Sequence, residues 1–258
     1  MASVVVTGST KGLGLGLVRA LKELGANVVV SGRSATEVAQ VAKEVGGLGR
    51  ACDVSKYEDV QALWDAAKKE FGAVDVWINN AGTSNAQLAF SRLPSKDIDA
   101  VVRTNLIGVM NGSHVALRGM LEQPARGAIY NMEGFGADGA RQLGMALYGS
   151  TKTALRYFTR SLAEEARGSG VIIGTTSPGI VVTELLTSVY AKGDPELWKS
   201  KRWLFNFIAD PVDVVAPWLA RRILENKTTG AHLAWMTVLR GALRVLQPRY
   251  WRRNLFPE

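Results

Sequence analysis

The sequence predicts an α/β fold, a single doubly wound parallel sheet with helices on both faces. Three observations carry this expectation. Short apolar runs alternate with amphipathic stretches through the first 180 residues, the rhythm of successive β-α-β units. A glycine-rich turn, Gly8 to Gly14, separates the first apolar run from the first helical stretch. The length, 258 residues, suits one α/β domain, which often reaches about 250 residues.

The strand-like runs are Ser3–Thr7, Asn27–Ser31, Leu48–Cys52, Val74–Asn79, Ala128–Met132 and Val171–Thr176. Between the first two, Leu13, Leu17, Leu21 and Leu24 recur at spacings of four, four and three. That stripe predicts a helix that stops at Gly25. Leu155, Phe158 and Leu162 repeat it later. After Pro178 the rhythm breaks. Residues 184–211 show no clear strand but gather Tyr190, Trp198, Trp203, Phe205 and Phe207, a candidate substrate lid. A last strand is expected near Ala231–Met236, followed by a basic, aromatic extension over residues 237–258. No boundary divides the chain, so residues 1–258 are read as one domain.

Hydrophobic residues at 47% and charged residues at 21% exclude a disordered chain. One cysteine, Cys52, and two histidines, His114 and His232, exclude a disulfide framework and leave no set of metal ligands. No apolar run approaches the roughly 20 residues of a membrane-spanning helix. The chain enters its first strand at Ser3. That leaves no room for a signal or transit peptide, and we expect a reducing, cytoplasmic setting. The net charge is +8, and Arg240, Arg244, Arg249, Arg252 and Arg253 crowd the last 19 residues. Five of seven tryptophans also fall after residue 190. Two accounts stay open: a solvated basic tail with packed aromatics, or a C-terminal third that meets a large apolar ligand or a membrane surface. No nucleic-acid motif accompanies the charge, so no nucleic acid is expected.

Gly8, Ser9, Thr10, Lys11, Gly12, Leu13 and Gly14 follow the first strand and open the first helix. Glycines there let the backbone turn tightly and approach a pyrophosphate, which then meets free N–H groups at the helix start. With strand before and helix after, the context is that of a Rossmann-type dinucleotide site. An NAD site places a carboxylate at the end of the second strand. This chain has Ser31-Gly32-Arg33-Ser34 there. Arg33 and Lys11 would attract a 2′-phosphate, so NADPH/NADP+ is the expected cofactor.

Tyr148 and Lys152 stand four residues apart within a helical pattern and share a face. An ammonium beside a phenol is expected to lower the tyrosine pKa from about 10 and ready it for proton transfer. The pair joins Asp53-Val54, Asn79-Asn80-Ala81-Gly82, Asn105 and Pro178-Gly179-x-x-x-Thr183 in order. The set resembles the short-chain dehydrogenase/reductase family across about residues 3–183. The resemblance implies that Asp53 and Val54 contact adenine and that Asn80 and Gly82 line the cofactor floor. It also implies that Pro178, Gly179, Val181 and Thr183 hold the nicotinamide carboxamide. Tyr148 is then the acid, Lys152 binds the nicotinamide ribose, and Asn105 holds a water in a relay with Lys152. A dimer or tetramer is implied as well.

One position departs from the family pattern. A serine is expected about 13 residues before the tyrosine, where this chain has Gly134. Loss of a carbonyl donor costs about 2.7–4 kcal/mol of transition-state stabilisation. Three readings follow: a cofactor-binding protein without full activity; another donor, such as Ser84, Asn131 or a backbone N–H; or space for a bulky substrate. Asn131-Met132-Glu133-Gly134, with Tyr148-Gly149-Ser150-Thr151-Lys152 and the run Ser177–Leu186, resembles chlorophyll b reductases, which carry Asn-Met-Asp-Gly there. That resemblance places Glu133, Gly134 and Phe135 beside a bulky tetrapyrrole carbonyl. It implies reduction of the 7-formyl group of chlorophyll(ide) b with NADPH. A reductase of another ketone or acyl thioester and a non-catalytic NADP(H)-binding protein remain the alternatives.

Overall fold

A computed structural model describes residues 1–191 and 195–256. The main sheet holds β1 (Ser3–Val6), β2 (Asn27–Gly32), β3 (Leu48–Ala51), β4 (Val76–Asn79), β5 (Ala128–Met132), β6 (Ile172–Ser177) and β9 (His232–Ala234). A small second sheet holds β7 (Val181–Val182) and β8 (Asp210–Pro211). The helices are α1 (Gly12–Glu23), α2 (Ala35–Val45), α3 (Tyr57–Phe71), α4 (Ser95–Val102), α5 (Gly108–Glu122) and α6 (Ala146–Glu165). They continue with α7 (Glu184–Ala191), α8 (Pro195–Ile208), α9 (Val212–Glu225), α10 (Val238–Val245) and α11 (Pro248–Trp251).

Strand order is β3-β2-β1-β4-β5-β6-β9, parallel throughout. Runs such as Val4-Val5-Val6 are buried on both faces because helices cover both sides. Val4, Val6, Val28, Val30 and Ile78 pack with Leu17 and Leu21 of α1 and Leu219 of α9. The alternate residues Val5, Val29, Trp77 and Ile129 pack with Leu63 of α3 and Val115 of α5. Strand order reverses between β1 and β4, which opens a crevice at their carboxyl ends, where ligands of such sheets bind.

The expected strands form within a residue or two of their predicted ends. β4 begins at Val76 instead of Val74: Val74 is held by the Gln123 side chain, which accepts from its N–H at 2.9 Å. Gly25 does end α1, with φ +83 directly after the cap residue Leu24. The described residues of 184–211 form two helices and one very short strand; the absence of a strand there is corrected by β8, which pairs with β7. Two residues carry no periodicity from which to read it.

The aromatics of this segment build a third, small core with the C-terminal extension. Trp198 stacks on Phe205 at 5.8 Å between ring centres and meets the edge of Phe256 at 5.3 Å. Phe207 lies 4.8 Å from Trp251, whereas Trp203 is exposed. The side chain of Tyr190 lies outside the described residues. The extension is not simply solvated. Arg244 is buried and bonds to Asp210 and to the carbonyl of Ile208 at the end of α8, the latter at 2.8 Å. Asp210 also accepts from Trp235 at 2.6 Å and pairs with Arg253 at 3.3 Å.

Candidate active site

The phosphate loop is fixed from below by β4. Thr7 Oγ1 accepts from the N–H groups of Asn80 and Ala81 at 3.0 and 3.1 Å. Asn80 Nδ2 donates to the carbonyls of Thr7 and Gly8, each at 2.9 Å. Gly8 has φ +62, and a Cβ there would stand 2.7 Å from Ala81 Cα, so only glycine fits. Ser9 is buried; its hydroxyl donates to Val6 O and accepts from Ser31 N, which ties β1 to β2. Thr10 packs against Gly32, and the Thr183 methyl lies beside Gly12. The first turn of α1 has no acidic residue and no side-chain cap at Lys11. Its leading N–H groups are thus available to an anion. The loop therefore fits a pyrophosphate-bearing dinucleotide.

Arg33 is exposed and lines an open recess of about 640 Å³ together with Arg50, Lys56, Asp53 and Asp59. Arg50 and Lys56 were not singled out in the sequence; both lie three residues from Asp53, on either side. Lys11 does not line this recess. Its ammonium pairs with Glu184 at the start of α7, at 3.2 Å, where both groups are exposed. Asp53 Oδ1 accepts from the N–H and hydroxyl of Ser55 at 3.0 and 2.8 Å. Val54 is buried, with its carbonyl held by Asn111 Nδ2 at 3.0 Å. On the far side of the crevice, Pro178 and Val181 are buried, and Gly179 turns the chain with φ +71.

Tyr148 and Lys152 lie on α6 and face β5. Lys152 is buried, donates from Nζ to Met132 O at 2.9 Å, and stands 5.7 Å from the centre of the Tyr148 ring. Asn105 sits in a π-helical turn, Arg103–Ile107, between α4 and α5, a distortion frequent at functional sites. Its Oδ1 accepts from Thr83 N at 2.8 Å, and its Nδ2 donates to Thr83 O at 2.9 Å. A Cβ placed on Gly82 would be 3.5 Å from Asn105 Oδ1 and 3.9 Å from Lys152 Nζ. Gly82, Asn105 and Lys152 thus converge.

Gly134 adjoins the phenol itself. A Cβ there would overlap the Tyr148 hydroxyl and stand 3.2 Å from its Cζ and 3.3 Å from Lys152 Cε. The space freed by the missing side chain is occupied by Tyr148, not by an empty berth for substrate. Asn131 is fully buried and bonded to Asn79 and Thr159, so it is not a substitute carbonyl donor. The Ser84 hydroxyl is turned to Asn85 O at 3.5 Å. Phe135 is exposed beside Gly134.

Burial, not the neighbouring ammonium, governs the phenol. Tyr148 is pushed up to about 12 by desolvation, opposite to the expected lowering, and remains a protonated acid at neutral pH. Desolvation also brings Lys152 down to about 8, against an opposing pull from Glu133. Glu133 is a buried carboxylate held by both arms of Arg156, with Nε at 2.8 Å, and His232 Nδ1 stands 3.6 Å away. Arg156 escaped the sequence reading, although Tyr148, Lys152 and Arg156 repeat at four-residue intervals along one helix face.

A family model described as short chain dehydrogenase matches residues 2–194. The chain belongs to the short-chain dehydrogenase family. It is 35% identical over 278 aligned positions to the probable chlorophyll(ide) b reductase NYC1 of Oryza sativa subsp. japonica. That match covers 99% of this chain and 54% of the plant protein, so the chain spans about half the length of that relative. It is 35% identical to chlorophyll(ide) b reductase NOL of Arabidopsis thaliana, over 89% of this chain and 67% of that one. Among solved structures, 3-ketoacyl-(acyl-carrier-protein) reductase from Brucella melitensis, complexed with NADH, superposes with a TM-score of 0.80. Identity there is 26%, covering 91% of this chain and 96% of that one. This short-chain dehydrogenase thus shares its seven-stranded sheet with oxidoreductases of the family.

Proposed function

We propose that this protein reduces a carbonyl with NADPH, and that its substrate is the 7-formyl group of chlorophyll(ide) b. The observation that carries the reading is the fit between Gly134 and the Tyr148 hydroxyl. The glycine that departs from the general family pattern leaves the Tyr148 hydroxyl directly against the backbone at the end of β5. Similarity to NYC1 and NOL along most of the chain supports the choice of substrate.

The residues present fit the cofactor: the glycine turn and α1 receive the pyrophosphate, and Arg33, Arg50 and Lys56 supply positive charge for a 2′-phosphate. Bound there, NADPH supplies the hydride. Tyr148 donates its proton to the substrate oxygen as negative charge develops on it. Lys152 places an ammonium below the phenol and restores polarity to a desolvated pocket, and Asn105 holds the loop at Thr83 against α6. A phenol raised to about 12 is protonated at neutral pH, the form in which it donates a proton during reduction.

The test is a panel of NADPH and NADH against chlorophyllide b, simple ketones and acetoacetyl thioesters, followed by absorbance. Turnover of chlorophyllide b with NADPH is expected. Turnover confined to acyl thioesters would favour the second reading, a 3-oxoacyl reductase, which the Brucella melitensis structure supports. NADPH binding with no turnover of any carbonyl would leave a cofactor-binding protein. Arg33→Ala is expected to raise KM for NADPH roughly tenfold, with NADH use little changed, since one charge-assisted phosphate contact is lost.

A further inference from the structure

Helix α10 is inverted relative to an ordinary surface helix. Its polar side chains point inward: Arg244 is buried on Asp210, and the Arg240 guanidinium lies 3.7 Å from the Trp235 ring centre. Its apolar side chains face solvent. Val238 is 94% exposed, Leu246 76%, Leu239 70% and Val245 53%, and Trp251 of α11 joins them at 59%. A contiguous apolar patch of this kind marks an interaction surface. The charge of the segment that carries it specifies the partner. No aspartate or glutamate occurs between Glu225 and Glu258, while Lys227, Arg240, Arg244, Arg249, Arg252 and Arg253 fall in that interval. Arg249 and Arg252 are exposed next to Trp251.

We propose that α10 and α11 form a docking face for an anionic lipid bilayer. Val238, Leu239, Val245 and Leu246 enter the acyl boundary, Trp251 sits at the headgroup level, and Arg249 and Arg252 meet the lipid phosphates. A second copy of the chain fits less well, because the exposed Arg249 and Arg252 would face like charges across the contact. Internal ion pairing on Asp210 fixes the helix with its apolar face outward before any membrane is met. Met236, two residues before α10, packs on Gly179, so the docked face lies beside the crevice and brings it near the lipid surface.

Sedimentation of the full chain with phosphatidylcholine vesicles, with and without phosphatidylserine, tests this. Binding is expected to the anionic vesicles only and to weaken as salt approaches about 1 M, where the screening length falls to about 3 Å. Leu239→Ser with Leu246→Ser is expected to weaken binding at least about tenfold, and Arg249→Gln with Arg252→Gln to remove the preference for anionic lipid. Both pairs are exposed, so circular dichroism and turnover of a water-soluble carbonyl should stay unchanged. Equal binding to neutral vesicles, or undiminished binding by the leucine variant, would overturn the proposal. So would a dimer in light scattering that the leucine variant dissociates while vesicles are never bound.

Discussion

At the scale of single residues, the site depends on how little space separates Gly134 from the Tyr148 phenol. Gly134→Ser is therefore expected to displace the hydroxyl and lower kcat at least about tenfold, for small carbonyls as well as large ones. A loss confined to bulky substrates would instead restore the explanation of Gly134 as room for substrate. Lys152, at about 8, gives the reaction an alkaline limb. Below that pH the amine is charged and the rate is full; above it the rate falls about tenfold per unit. Glu133 raises the Lys152 pKa, so Glu133→Gln should move the limb in kcat against pH to lower values. An unmoved limb would remove Glu133 from its influence on the amine.

At the scale of elements, Asp210 joins three parts of the chain: β8, the end of α8 and the C-terminal extension. Asp210→Asn leaves the buried Arg244 charge uncompensated. It is expected to cost about 3–5 kcal/mol, read as a lower denaturant midpoint, with the Trp198–Phe205–Phe256 cluster loosened. The sequence showed little of this knot. Strands such as Ala128–Met132 and the α1 stripe were legible because burial imposes a period over many residues. The Arg244–Asp210 pair spans 34 positions and leaves no local pattern. The same holds for Arg156 and Glu133, although the four-residue repeat along α6 could have disclosed Arg156. Conversely, the phosphate loop was legible because a tight turn with φ +62 at Gly8 admits only one residue type.

At the scale of the whole molecule, the topology accounts for where chemistry collects. The carboxyl ends of β1, β4, β5 and β6 deliver the glycine loop, Asn80, Gly134 and Pro178 to one crevice, and α6 presents Tyr148 and Lys152 across it. The expected lowering of the phenol pKa failed because spacing along a helix carries no information about burial, and desolvation outweighs an ammonium turned toward Met132 O. The most direct measurement is single-turnover absorbance with NADPH and chlorophyllide b, native protein against Tyr148→Phe. Loss of the formyl band with oxidation of NADPH is expected in the native protein. In the variant the rate is expected to be roughly 100-fold or more lower, with NADPH still bound. An equal rate in both would contradict the role of Tyr148 as the acid.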